Sequence, residues 1–320
     1  MIERPDPDAL LAGPLGEWLA GQQSLRDETR ATVARRRRWG IIGAVVLGAL
    51  ALVLFQDIEA TLWVGMLGGG GGIVWAQAAA QPVTNAIKGQ INGAVARALE
   101  LEFSLACTTG EEWQLACGYG LLPSFDRDDF EDRWSGELGS LPFQTYEAHC
   151  QEWRGSGKNR RLETVFRGAV LSVAFTRRFH GVTLIEGDGK RKRWFGGEKE
   201  EVTLNGTPMQ RCDMVDPAFE DRFTVWSNDP VEARYLVHPE YIERLSAVET
   251  AFAGKNLRAL FCGGSLIMLV ETGDQFESGS LDASDDRARL IQTIDQFGAL
   301  ADLAHRLNEA PRGNFAPASA

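Results

Sequence analysis

Cysteine and histidine are scarce in this chain of 320 residues, which holds five of the first and four of the second. The cysteines stand singly, so the sequence indicates neither a disulfide framework nor a zinc-binding motif. His149 and Cys150 are adjacent and would point to opposite faces of a strand, while the other histidines have no partner at metal-ligand spacing. We therefore expect free thiols in a reducing compartment, with no metal and no other cofactor.

Basic residues are also in deficit, with 33 lysines and arginines against 44 aspartates and glutamates. Residues 101–320 account for the net charge of −11, with 24 basic against 35 acidic side chains. An acidic surface repels a phosphate backbone, so we expect no nucleic acid as a main partner. The segment Gly155–Lys158 lacks the first glycine of a phosphate loop, and Gly263–Ser265 lacks the closing glycine of a nucleophile elbow.

Charged side chains are absent from two consecutive stretches, Trp39–Phe55 and Ala60–Ala80. The second stretch spans roughly 31 Å as a helix and matches a bilayer core, and the first spans roughly 26 Å and needs snorkelling flanks or local thinning. The four arginines at 35–38 belong on the cytoplasmic side. The sequence thus predicts a transmembrane hairpin in the inner (plasma) membrane, with the lipid bilayer as a partner and both termini cytoplasmic.

Five consecutive glycines, Gly68–Gly72, lie inside the second stretch. Such a run costs about 1 kcal/mol per residue relative to alanine in an aqueous helix, but in a bilayer small residues let helices approach closely. We expect tight packing of the hairpin or a homo-oligomer through the second span. A kink or a local break is the alternative.

The predicted organisation has five segments. They are a cytoplasmic arm at 1–38, the transmembrane hairpin at 39–81, a linking helix at 82–100, a cytoplasmic α+β region at 101–310 and a disordered tail at 311–320. A boundary near 155–160 would split the α+β region into two domains, and the sequence leaves this open.

The α+β region should consist of antiparallel β-hairpins and a meander with covering helices. Extended segments at 142–153 and 161–176 flank a glycine-rich loop. Asn205-Gly206 is typical of a two-residue hairpin turn, and residues 257–271 predict another hairpin. Residues 128–134 are interpreted as one more helical turn.

Three blocks of this sequence resemble one known family. The longest runs from Phe219 to Tyr235 and continues into His238-Pro239, the second comprises Phe166–Gly168 and Phe175–Thr183, and the third is a weaker likeness over residues 121–147. In these blocks the chain is similar to a bacterial membrane-protein family known only as domain of unknown function 3137. The likeness covers about residues 30–280, implies an anchored architecture and carries no assigned activity.

The longest block contains a candidate site made of Asp229, Glu232 and Arg234. In the turn Asn228-Asp229-Pro230 the aspartate can accept backbone N–H bonds and cap a helical turn. We expect Arg234 to pair with Glu232 or Asp229 and to hold this turn against the sheet. A structural cluster and a ligand-binding cluster both remain open.

A second candidate is the basic segment Lys190, Arg191, Lys192 and Arg193, followed by Trp194. Four cations beside an aromatic residue would suit contact with an anionic membrane surface, at about 1 kcal/mol per residue. A plain solvated loop is the alternative.

These features favour a scaffold or interaction module at the inner membrane, with an unknown protein partner, over an enzyme. The alternative is a membrane-tethered enzyme with a dispersed site at Asp229, Glu232, Arg234 and His238. A deep pocket joining three of these residues would favour the enzyme. Pairing of the same side chains to the backbone would favour the scaffold.

Overall fold

The computed structural model describes residues 4–56, 58–138, 141–175, 179–187, 200–214, 217–237, 239–273 and 279–308. The chain divides into two compact units. Unit 1 comprises Met1–Arg4, Ala96–Gln275 and Ile294–Ala320, and unit 2 comprises Pro5–Val95 and Phe276–Thr293.

Unit 2 is helical in its first part. Its helices are α1 (Pro7–Ala12), α2 (Pro14–Gly21), α3 (Gln23–Phe55), α4 (Ile58–Gln77) and α5 (Gln81–Ala98). The Asp6 side chain caps α1 by accepting the N–H of Asp8. The helical arm is interrupted at Gln22, and α3 then runs without interruption through the four arginines into the first apolar stretch.

Helices α3 and α4 lie side by side and antiparallel. A Cβ atom added to Gly72 would lie 2.7 Å from the Cα atom of Gly40, and one added to Gly68 would lie 3.3 Å from the Cα atom of Ala44. Gln56, with a φ of 51°, ends α3 in the left-handed conformation. The glycine run therefore permits close contact within the hairpin, and α4 is continuous through it.

One helix among the described residues, Gln23–Leu54, is long and apolar enough to cross a membrane. The second predicted span coincides with α4. Its five glycines contribute little hydropathy, and the second span stays a prediction.

Within the described residues, ten strands of unit 1 form one antiparallel sheet. They are β1 (Leu101–Ala106), β2 (Arg127–Leu138), β3 (Leu141–Arg154), β4 (Arg161–Ala174), β5 (Thr183–Gly187), β6 (Glu201–Leu204), β7 (Thr207–Cys212), β8 (Phe223–Ser227), β9 (Lys255–Cys262) and β10 (Ser265–Glu271). Their order in the sheet is β1-β2-β3-β4-β10-β9-β5-β8-β7-β6. The hairpin β9–β10, last in sequence, thus lies at the centre, between β4 and β5.

The remaining helices are α6 (Glu111–Gly118), α7 (Pro217–Glu220), α8 (Pro230–Leu236), α9 (Pro239–Ala251) and α10 (Asp286–Asn308). On one face of the sheet, Trp113 of α6 belongs to a buried core with Tyr146 and Leu260. On the opposite face, the rings of Phe179 and Phe261 lie 5.4 Å apart. The central strands are buried on both sides, which explains their almost continuous apolar sequence.

Most of the predicted extended segments are strands, including both arms of the 142–176 hairpin and of the 257–271 hairpin. Asn205 and Gly206 join β6 to β7 with φ values of 47° and 75°, as a two-residue turn requires.

The predicted helical turn at 128–134 is wrong, because these residues belong to β2. Phe130 and Trp134 are four residues apart, which is the spacing of one helix face. A β-bulge between Glu131 and Trp134 sends them to opposite faces of the sheet instead. Phe130 lies 4.9 Å from the ring of Trp113, and Trp134 lies 3.9 Å from the ring of Phe297.

Candidate functional site

Two of the blocks that the sequence singles out meet at one end of the sheet. Thr183 at the start of β5 pairs with Ser227 at the end of β8. Residues 179–183 therefore face residues 227–232, and we call these two segments together the corner.

Asp229 begins helix α8 within the corner. Its Oδ1 atom accepts the N–H of Val231 at 3.1 Å and the N–H of Glu232 at 3.0 Å. Pro230 occupies the first helical turn, where its missing N–H costs no hydrogen bond. The Asp229 carboxylate thus ends the turn after β8 and starts the helix.

Glu232 and Asn228 hold the facing segment. Glu232 accepts the N–H of His180 at 3.0 Å with Oε1 and the N–H of Gly181 at 2.7 Å with Oε2. Asn228 accepts the N–H of Val182 at 2.7 Å with Oδ1. Two side chains therefore satisfy three consecutive backbone donors that lie outside any strand.

Gly181 allows the two segments of the corner to approach each other. A Cβ atom at this position would lie 2.7 Å from Oδ1 of Asn228 and 2.8 Å from Cβ of Asp229. Any larger residue would push the segments apart and lengthen the bonds to Glu232. The sequence contained the signal for this contact in the motif Phe179-His-Gly181, but not its partner, which is 51 residues away.

Arg234 takes no part in this network. Its Nε donates to the carbonyl oxygen of Asp213 at 3.3 Å. The predicted pairing of Arg234 with Glu232 or Asp229 is therefore wrong, because both carboxylates are directed at backbone N–H groups. His238 and the basic segment Lys190–Arg193 lie outside the described residues.

The described side chains offer little reactive chemistry. Across the part of the chain that the structure describes, no group of three His, Cys, Asp or Glu residues is arranged to hold a metal ion. Burial raises the pKa of the Cys107 thiol to about 11 and that of Cys150 to about 12. Both thiols are therefore protonated at neutral pH and are poor nucleophiles.

An open cleft of about 490 Å³ lies at the opposite end of the sheet from the corner, between Thr164–Arg167, Ala253–Lys255 and Glu271–Gly273. Its carboxylate, Glu271, accepts from Asn256 at 2.7 Å and also from Arg258. Arg258 is 5% exposed and donates to the carbonyl oxygen of Leu121 as well. This buried ion pair was not predicted from the sequence, although a single charge inside the apolar strand β9 was a usable signal.

Replacing Glu232 with glutamine should lower the free energy of unfolding by about 1–3 kcal/mol, because the amide can accept only one of the two N–H bonds. Urea unfolding of the full chain in detergent micelles measures the change. The matched control is Val231→Ala on the same helix, since Val231 is 78% exposed. If both variants are equally stable, the carboxylate does not hold the segment and a ligand-binding role explains it better.

Comparison with known proteins gives one family and one structural neighbour. Residues 164–309 match the family model described as protein of unknown function DUF3137. No curated protein matches the sequence. The crystal structure of the mycobacterial trehalose monomycolate transport factor A is similar at a TM-score of 0.34 and 10% identity, over 69% of this chain and 96% of that chain. A similarity this weak establishes neither fold nor function.

Proposed function

The chain belongs, through residues 164–309, to the DUF3137 family of unknown function, and on this premise we propose a role from its own architecture. The α3–α4 hairpin anchors the protein in the inner membrane. The sheet of unit 1 faces the cytoplasm and acts as a scaffold or interaction module for a protein partner.

The observation that carries the proposal is the apolar surface of the hairpin. The exposed fraction is 73% for Val53, 67% for Leu62 and 70% for Leu67. Among the described residues, all but four of the exposed large apolar side chains lie between Trp39 and Trp75. Soluble proteins rarely expose contiguous apolar patches of more than a few hundred Å². A bilayer solvates such a surface, and both helices satisfy their own backbone hydrogen bonds.

The arginine cluster supports the direction of insertion. The Nη1 atom of Arg36 donates to the carbonyl oxygen of Trp75 at 3.1 Å. The guanidinium carbon of Arg36 lies 5.0 Å from the centroid of the Trp75 ring. This contact brings the end of α4 to the level of Arg35–Arg38. Arginine and tryptophan favour the membrane interface, and arginine favours its cytoplasmic side.

The bonds of the corner support a scaffold more than an enzyme. Asp229 and Glu232 accept backbone N–H groups, which is the arrangement expected of structural residues. The cleft shares no residue with the corner. Its carboxylate is already paired with Arg258.

Cysteine accessibility in membrane vesicles tests the anchor. We expect Glu59→Cys to react with an impermeant maleimide only from the side of the membrane opposite the cytoplasm. Ser24→Cys and Glu137→Cys should react only from the cytoplasmic side. Labelling of the parent chain gives the background from the five native cysteines. Release of the protein by alkaline carbonate, or labelling of Glu59→Cys from the cytoplasmic side, would contradict a two-span anchor.

Cross-linking in intact cells tests the scaffold role. A tagged full-length chain should be recovered from solubilised membranes with the same protein partner in each repeat. The matched control is a chain with Gly181→Val, which should distort the corner. Recovery of the parent chain alone would contradict a role as an interaction module.

A further inference from the structure

The hairpin of β3 and β4 projects beyond its neighbours in the sheet. Strand β2 pairs with β3 only as far as Gln151, and β10 pairs with β4 only as far as Gly168. Beyond these positions β3 and β4 still pair with each other, ending with Arg154 opposite Arg161. We call residues Trp153–Arg161 the tip.

The tip is basic, although the chain around it is acidic. It holds four cations and no acidic residue: Arg154, Lys158, Arg160 and Arg161. Two glutamates flank it, and each lies beside an arginine, with Glu152 3.0 Å from Arg154 and Glu163 2.6 Å from Arg161. Residues 152–163 therefore carry a net charge of +2 within a region of net charge −11.

An exposed tryptophan accompanies these cations. Trp153 is 46% exposed, and the guanidinium carbon of Arg160 lies 4.9 Å from the centroid of its ring. An indole ring beside arginine has an apolar body and a charged rim, which suits the boundary between headgroups and acyl chains.

Strand β5 ends at the same end of the sheet. Glu271 of β10 pairs with Gly168 of β4 and with Lys255 of β9. Since β5 pairs with β9 from Thr183 opposite Phe261 to Ile185 opposite Ala259, its last residue, Gly187, lies toward Lys255. Gly187 therefore lies at the end of the sheet from which the tip projects, and the residues that follow it, 188–199, lie outside the described part of the chain.

We propose that the tip docks onto the anionic inner leaflet of the membrane that holds the hairpin, as a second contact that rests on the proposed anchor. The occupant is a lipid surface because the tip combines cations with an exposed indole, which suits anionic headgroups above acyl chains. Each basic residue near an anionic surface favours docking by about fivefold, so a net charge of +2 favours it by roughly 30-fold.

A label at the tip tests the proposal in the full chain. Ser156 is exposed at the turn, so Ser156→Cys can carry an environment-sensitive fluorophore. The chain is reconstituted into vesicles of phosphatidylcholine alone or with 30% phosphatidylglycerol, each containing a nitroxide-labelled lipid. We expect the lipid to quench the label in the anionic vesicles and not in the neutral ones, and 0.5 M NaCl to reverse the quenching.

Charge variants separate docking from mere proximity. Replacing Arg154, Lys158, Arg160 and Arg161 with serine should lower the ratio of docked to undocked tips by more than about 30-fold. Glu152→Gln with Glu163→Gln should raise this ratio by about 30-fold, which a misfolded tip would not do. The control label is Glu137→Cys, which is exposed at the opposite end of β2 and β3 and should not respond to lipid charge.

The following outcomes overturn the proposal. Equal quenching in neutral and anionic vesicles, or a label that responds only to added RNA or acidic peptide, excludes the anionic lipid surface as the occupant. Flotation with the vesicles is measured in the same samples. If the chain floats while its tip label is unquenched, the result contradicts only the docking of the tip. If the chain does not float, the result contradicts the membrane anchor as well.

Discussion

Replacing Arg26 with alanine is expected to lower the free energy of unfolding by about 3–5 kcal/mol at neutral pH. Arg26 lies in the part of α3 that precedes the apolar stretch, and its side chain is 1% exposed. Its Nη1 atom lies 2.9 Å from Oδ2 of Asp286, and its Nη2 atom donates to Oδ1 at 3.1 Å. The alanine variant would leave the Asp286 carboxylate buried without this partner.

The size of this effect should depend on pH. Burial raises the pKa of Asp286 above its ordinary value of 3.8, while the hydrogen bond from Arg26 acts in the opposite direction. Without Arg26 the pKa of Asp286 in the folded state should rise further. Asp286 then binds its proton more tightly in the folded state than in the unfolded chain. Such a group contributes stability below pH 3.8 and loses it as pH rises through the folded pKa. The deficit of the variant should therefore be small at pH 4 and large at pH 7.

Urea unfolding of the full chain in micelles at both pH values measures these changes. The control is Arg287→Ala, because Arg287 and Asp8 pair at 2.9 Å with side chains 57% and 66% exposed. Water and salt screen that pair, so the control should be close to the parent. Replacing Arg26 with methionine and Asp286 with leucine together should restore most of the loss. An Arg26→Ala variant as stable as Arg287→Ala would show that the buried pair does not stabilise unit 2.

Replacing Gly72 with leucine should separate α3 from α4. The Cβ atom of the new side chain would lie 2.7 Å from the Cα atom of Gly40, and a backbone atom cannot move aside as a side chain can. Overpacking of this kind costs about 1–3 kcal/mol, and a contact with backbone should lie at the upper end.

A disulfide within the hairpin reports this separation. A Cβ atom at Gly68 would lie 3.4 Å from Cβ of Ala44, so cysteines at these two positions should cross-link on oxidation. Gly72→Leu should abolish the cross-link in reconstituted vesicles. Gly70→Leu is the matched control, because a Cβ atom at Gly70 meets nothing within 4 Å. Equal cross-linking in both variants would contradict the packing of α3 on α4.

The same pair of variants addresses self-association. A Cβ atom added at Gly69, Gly70 or Gly71 would meet nothing within 4 Å. If the second span also joins copies of the chain, as the glycine run first indicated, Gly70→Leu should weaken the oligomer while the cross-link within the hairpin remains.

Local patterns in the sequence predicted local structure well. The Asn-Gly turn between β6 and β7 and the long hairpin of β3 and β4 follow from backbone preferences and alternation over a few residues. The exception at 128–134 has a defined cause. A bulge at Asp132, with a φ of 57°, shifted the alternation and left Phe130 and Trp134 at a helical spacing.

Contacts across the sheet were less predictable. The sequence singled out Asp229 and Glu232 but supplied the wrong partner for Arg234, because Gly181 and Asp213 are distant in the chain. The ion pair of Arg258 with Glu271 was missed for a related reason. Arg258 and Glu271 are 13 residues apart in the chain, and the pairing of β9 with β10 brings them within reach.

The sequence by itself determined the positions of most helices and hairpins, since these depend on the spacing of apolar residues and on turn residues close to one another. Only the tertiary structure decided which side chains meet. The insertion of β9 and β10 between β4 and β5 sets which strand ends are neighbours. It thereby places the corner at one end of the sheet and the basic tip at the other. Strand order arises from the burial of whole faces, and no short pattern of residues records it.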